Sequence, residues 1–201
     1  MEQKTFNYNL KPQLAIDDFF VSSSNQLSYN LLLKTKNINK KILLIGPNKS
    51  GKTHLGLIWK NKFNAISYKN NLDQILNYKK NVFIDNLFQK IDEEYIFHII
   101  NHCNINNLHI LITSNINLYE YKFKLMDLSS RLKAFLLTKI DLPDDLLLVN
   151  LMIKLLHDKQ IIINNVEIFQ FILKRIDRSY EKIFQLIENI DKLSLEKKRE
   201  L

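Results

Sequence analysis

Eight consecutive residues from Gly46 to Thr53, GPNKSGKT, have the types and spacing that grip a chain of phosphates. The pattern is GxxxxGK[ST]. Gly46 and Gly51 let the loop of Pro47, Asn48, Lys49 and Ser50 wrap the phosphates with backbone N–H groups. Lys52 brings a point charge to the β and γ oxygens, and Thr53 offers a hydroxyl to Mg2+. His54 continues the same segment. An apolar run, KILLI, precedes the loop and a helical pattern follows it, which is the context the motif needs; a surface turn that merely spells GKT needs neither. Bound Mg2+ also calls for an acid at the end of a neighbouring strand, and NVFIDN supplies Asp85 directly after three apolar residues. The next residue is Asn86, where many nucleotide hydrolases carry a second acid that orients the attacking water. An amide there hydrogen-bonds without accepting a proton. The constellation reads as a firm grip on ADP or ATP with Mg2+ and weak equipment for hydrolysing it.

The elements that must position these residues follow from short apolar runs alternating with helical segments. Strands are expected at 41–45, 65–68, 81–85, 108–113 and 135–140, with helices at 24–34, 52–62, 72–78 and 93–103 between or before them. In the first helix Leu27, Leu31 and Leu32 are expected to face inward. Strands apolar on both faces, alternating with helices, predict a parallel five-stranded sheet covered by helices. The texture changes after Pro143, where Asp144 and Asp145 complement the positive end of a helix dipole. Beyond it only helical periodicity remains: Val166, Phe169, Ile172, Leu173 and Ile176 share one face, and Ile183, Leu186, Ile187, Ile190 and Leu193 share another. The expected organisation is an N-terminal tail over 1–15, an α/β nucleotide-binding core over 16–142 and a small all-helical lid over 143–201.

Composition narrows the class further. The chain has 201 residues, 46% of them hydrophobic, enough for a sizeable core. A single cysteine rules out an internal disulfide and fits a reducing cytoplasm. No apolar run is long enough to span a bilayer, and the first ten residues lack a secretory pattern. The net charge of +8 would favour nucleic acid through counterion release. Only four of the 29 basic residues are arginine, however, and the lysines are scattered rather than striped with aromatics. The charge therefore predicts DNA contact that is weak or indirect.

Several stretches together resemble the AAA+ domain of the bacterial initiator DnaA. IDDFFVSSSNQLSYN (16–30) resembles its opening segment, GPNKSGKTHL its phosphate loop, DEEYIFHIINHC (92–103) the helix after its metal-binding aspartate, HILITSN (109–115) its sensor strand, and LMDLSSRL (125–132) its arginine-finger segment. The resemblance runs in consistent order over 16–201 and leaves no room for the initiator's C-terminal DNA-binding domain. The chain is thus most similar to the Hda-type family of short DnaA homologues, which switch the initiator off after replication begins; residues 171–201 resemble the lid of that family.

The resemblance implies an AAA+ P-loop core with a helical lid, and a set of roles. Phe20 and Val21 are placed against the adenine, Asn115 at the sensor position near the γ-phosphate, and Arg131 as a finger acting on nucleotide held by a neighbouring subunit. The lid's usual sensor arginine falls on Glu181, with Arg178 and Lys182 as the nearby cations able to compensate. Gln3, Phe6 and Tyr8 match the offsets of a peptide that docks on the DNA polymerase sliding clamp, with Gln13 as a rival start. The implied function is a nucleotide-bound regulator of replication initiation. With the clamp it would promote hydrolysis of ATP on DnaA, the family also leaving room for a homodimer. The alternative is a self-sufficient AAA+ ATPase that loads or remodels another replication protein.

Overall fold

A computed structural model describes residues 16–35, 41–68, 72–88, 92–118, 120–163, 165 and 167–197. The clamp-peptide residues Gln3, Phe6 and Tyr8, and Val166 of the lid, lie outside the described residues. The chain divides into two compact units. One comprises 23–141; the other comprises 142–197 together with 16–22, so the opening segment is grouped with the lid helices.

The larger unit is built on β1 (Lys41–Ile45), β2 (Ile66–Ser67), β3 (Val82–Ile84), β4 (Ile110–Ser114) and β5 (Leu136–Lys139). Their order in the sheet is β2-β3-β4-β1-β5, and every neighbouring pair is parallel. The central strands β3 and β4 are buried along their whole length. That explains why they read as continuous apolar runs rather than alternating ones. At the edge, β5 alternates between half-buried and exposed residues.

Helices α1 (Gln26–Leu33), α2 (Lys52–Lys62), α3 (Leu72–Leu76), α4 (Glu93–Ile105) and α5 (Met126–Lys133) complete this unit. Helix α2 has the expected limits, and α4 runs slightly past them. Helix α1 is oriented differently from the sequence expectation. Its buried residues are Ser28, Leu32 and Leu33, while Leu27 is 80% exposed. The cause is polar: the Ser28 hydroxyl bonds the Thr138 hydroxyl and the Lys139 carbonyl of β5, both at 2.8 Å, and so sets which face of α1 meets the sheet. Helix α5 is a short element that strand–helix alternation alone does not delimit. Its Leu128 and Leu132 enter the same core as Ile96, Ile99, Ile100 and Cys103 of α4.

The smaller unit contains a 3-10 turn (Ile16–Asp18) and helices α6 (Asp145–Asp158), α7 (Glu167–Leu173) and α8 (Tyr180–Lys197). Asp144 caps α6 by accepting the Leu147 N–H at 2.7 Å, the start that the Pro-Asp-Asp sequence predicts. Leu148, Met152, Leu156, Phe169, Leu173, Ile183 and Ile187 form its core. The α8 periodicity is realised at Ile183 and Ile187, whereas Leu193 is half exposed near the helix end. Lys154 ties the opening segment to α6 by donating to the Asp18 carbonyl at 3.1 Å. No helix among the described residues is long and apolar enough to cross a membrane.

Candidate phosphate-binding site

The loop leaves β1 at Gly46, whose N–H donates to the Ser114 carbonyl of β4 at 3.2 Å. A side chain cannot be added there without displacement: a Cβ would stand 3.0 Å from the Ile140 carbonyl oxygen and 3.1 Å from the Ile140 Cβ. The loop then turns through Pro47, whose carbonyl accepts the Ser50 N–H. Two residues take the left-handed region, Lys49 at φ 60° and Gly51 at φ 90°. Gly51 is also the N-cap of α2, so the loop ends at the positive end of that helix's dipole.

Lys52 is buried, and its ammonium donates to the Gly46 carbonyl at 2.8 Å and the Pro47 carbonyl at 2.6 Å. The cation is therefore held inside the curve of the loop. Burial lowers its pKa from the ordinary lysine value, with the charge of Asp85 acting in the opposite direction. The Ser50 hydroxyl is buried in the same loop with no hydrogen-bond partner among the described residues. An orphaned hydroxyl beside a buried ammonium is a local arrangement suited to a polyanion.

Asp85 follows β3 and receives two hydroxyls. Thr53 on the first turn of α2 donates to it at 2.8 Å, and Thr113 on β4 donates at 2.6 Å. The Thr53–Asp85 pair is a set of hard oxygen donors, the kind that suits Mg2+. Among the described residues no cluster of three or more His, Cys, Asp and Glu side chains could hold a metal by itself. The Thr53 hydroxyl and the Asp85 carboxylate are the donors that would fit such an ion.

Thr113 went unnoticed in the sequence, where it reads as the end of an apolar strand. It is fully buried, and the β3–β4 register that pairs Ile84 with Ile112 carries it beside Asp85. Its hydroxyl also accepts the Asn86 N–H at 2.8 Å, and its carbonyl accepts the Leu87 N–H at 2.9 Å. Asn86 lies at φ 53°, a left-handed conformation that asparagine tolerates better than most residues. The asparagine thus has a backbone role in the turn as well as the missing acid noted above. A polar residue inside an otherwise apolar strand was the available signal.

Asn115 follows β4, is exposed, and donates to the Asn48 side chain of the phosphate loop at 3.1 Å. His54 lies on the first turn of α2 beside Thr53. Arg131 lies on α5, half-buried, with its guanidinium carbon 4.8 Å from the centroid of the Phe97 ring. This stacking takes the place of the ion pair with Asp127 that helical spacing would have allowed.

Phe20, Val21 and Arg178 belong to the smaller unit. Phe20 and Val21 are exposed. Arg178 is engaged there with Asp145 through contacts of 2.7 and 3.2 Å, which hold the Asp145 carboxyl below its usual range. Glu181 lies in the first turn of α8, where an acid complements the helix dipole. The Ser179 hydroxyl accepts the Lys182 N–H at 3.2 Å in the same turn.

No protein-family model and no curated protein sequence matches this chain. Solved structures do. AMPPCP-bound DnaA from Aquifex aeolicus matches with a TM-score of 0.69 and 18% identity, over 92% of this chain and 67% of that one. DnaA bound to AMPPCP and single-stranded DNA matches at 0.69 and 18%, over 90% of this chain and 66% of that one. Domain III of the Thermotoga maritima replication initiation protein DnaA matches at 0.73 and 17%, over 94% of this chain and 92% of that domain. The chain spans about two thirds of the two longer structures. At these identities the likeness establishes architecture: the parallel five-stranded sheet with its helices has the fold of domain III of DnaA.

Proposed function

We propose that the protein is a nucleotide-bound regulator of replication initiation. In this reading it docks on the sliding clamp through Gln3, Phe6 and Tyr8, and applies Arg131 to ATP bound by DnaA. The observation that carries the nucleotide part is the meeting of Lys52, Thr53 and Asp85 around a loop that leaves little room for a side chain at Gly46. The AMPPCP carried by two DnaA structures of the same fold supports it. Gly46 to Thr53 would hold the phosphates of ADP or ATP, and Thr53 with Asp85 would hold the accompanying Mg2+. That ion, when bound, neutralises charge on the phosphate oxygens. His54 and Asn115 flank the same loop, and Asn115 would meet the terminal phosphate. Phe20, Val21 and Arg178 are proposed as further nucleotide contacts.

Arg131 supports the regulatory part. It is a guanidinium laid over the Phe97 ring, with no ion pair among the described residues. Charge delivered to a phosphoryl-transfer transition state by an arginine in trans is worth roughly 10³–10⁵ in rate in GTPases. The partner's own site would supply the water and its general base. A cytoplasmic setting, a homodimer and indirect DNA contact are consistent with the same reading.

The test mixes this protein, DNA-loaded sliding clamp and ATP-bound DnaA, and follows phosphate release. Stimulation by the wild type that disappears with Arg131→Ala is expected. Unchanged hydrolysis with the wild type, or full stimulation by the variant, would refute it. The intact Lys52–Thr53–Asp85 set favours a second reading, an autonomous ATPase that loads or remodels another replication protein. That reading requires turnover by the isolated chain that is lost in Lys52→Ala.

A further inference from the structure

Helix α4 touches the helix that bears Arg131 at two places, one turn apart on its own surface. Glu93 stands in the first turn of α4, which Asp92 caps by accepting the Tyr95 N–H at 3.1 Å. With the cap in place, the Glu93 carboxylate reaches outward. It accepts the Lys124 N–H at 3.2 Å with one oxygen and the Leu125 N–H at 2.7 Å with the other.

Leu125 is the N-cap of α5 and has no side-chain acceptor of its own. Glu93 therefore serves as a cap supplied from another helix, with its charge at the positive end of the α5 dipole. Four residues later on α4, the Phe97 ring lies under the Arg131 guanidinium, in the last turn of α5. Residues at i and i+4 share one helical face. Between the two contacts, Leu128 and Leu132 are packed in the core beside Ile96, Ile99 and Ile100. One face of α4 thus fixes where α5 starts, how it is rotated and where its arginine points.

We propose that Glu93 and Phe97 are positioning residues that hold Arg131 ready for the charge developing on a partner's nucleoside triphosphate. The proposal rests on the trans-arginine reading above. Preorganisation explains why a long, flexible side chain is laid across an aromatic face: an arginine already oriented loses less freedom when it meets the transition state. Among the described residues, Phe97 and Glu93 make their polar and ring contacts away from the phosphate loop and Asp85. Their replacement should therefore spare the protein's own nucleotide binding.

The experiment uses the full chain with ATP-bound DnaA and DNA-loaded clamp, comparing wild type, Arg131→Ala, Phe97→Leu, Phe97→Tyr and Glu93→Gln. The expected loss is about three- to tenfold in the maximal stimulated rate for Phe97→Leu, the range a half-exposed cation–π contact supplies. The concentration giving half-stimulation should stay unchanged. Phe97→Tyr keeps a ring and should keep the rate. In Glu93→Gln the amide offers one acceptor oxygen for two N–H groups, so the rate should fall between those of the wild type and Arg131→Ala. A second readout is the Arg131 Nε–H proton resonance, shifted upfield by the ring in wild type and Phe97→Tyr and returned to the ordinary position in Phe97→Leu. If Arg131→Ala abolishes stimulation while Phe97→Leu retains the full rate, the positioning proposal is overturned and the arginine reading stands. Absence of any stimulation by the wild type overturns both.

Discussion

Thr113→Val isolates the hydroxyl that organises the acidic turn. Valine has nearly the shape of threonine, so the buried strand position stays filled, but two hydrogen bonds disappear. The first is the 2.6 Å bond to Asp85, a charge-assisted contact of a kind worth about 1.5–3 kcal/mol. The second is the acceptor for the Asn86 N–H, whose loss leaves a donor unsatisfied at about 1–3 kcal/mol. The turn is only partly buried and water reaches some of it, so the combined cost should be about 2–4 kcal/mol. For a chain of this size that lowers Tm by roughly 5–15 °C. Thr113→Ser keeps both bonds and loses one buried methyl, about 1 kcal/mol. Thermal unfolding of both variants without nucleotide provides the comparison. A second measurement is the affinity for ADP with Mg2+ and with a chelator. A loosened Asp85 should weaken only the magnesium-dependent part. Should Thr113→Val melt within about 2 °C of Thr113→Ser, the small step that one methyl makes in a chain this size, the hydroxyl has no organising role.

Other expectations follow from single positions. A Cβ at Gly56 on α2 would come within 2.3 Å of the Phe83 ring, so Gly56→Ala should destabilise despite alanine's better helix propensity, by about 1–3 kcal/mol in chemical unfolding. Burial pushes the Cys103 thiol up to about 12. It should resist alkylation at pH 8 while the chain is folded and react only as fast as the core opens. Because the folded value is the higher one, stability present below the ordinary thiol pKa is lost as pH rises towards 12, which alkaline unfolding of Cys103→Ala against wild type would show.

The architecture was legible because each of its signals is local. The apolar runs of β1, β3 and β4 are continuous for the physical reason that both sheet faces are covered, and GPNKSGKT marks its own place between a strand and a helix. The start of α6 was readable from three adjacent residues, Pro143, Asp144 and Asp145. What escaped depends on partners far away in sequence. Leu27 looked like a core residue until the bond from Ser28 to β5 set the rotation of α1. Thr113 acts on the Asp85 carboxylate and the Asn86 N–H, and Glu93 on the N–H groups of Lys124 and Leu125, all about thirty positions away, and no spacing rule within one segment points to them.

Thr113 also changes how the site is understood. From the sequence, Asn86 beside Asp85 signals only a missing acid. In the structure the turn is held by Thr113, and its left-handed residue favours asparagine for backbone reasons. Restoring an acid with Asn86→Asp is therefore conformationally tolerable, since aspartate also accepts that region. A gain of autonomous ATP turnover in Asn86→Asp would show that the amide alone holds hydrolysis back. Unchanged turnover would place the limit elsewhere, in whatever else the phosphate site lacks. The distinction separates a protein that has lost its engine from one whose turn was shaped for another purpose, and only the backbone geometry at residue 86 makes the question answerable.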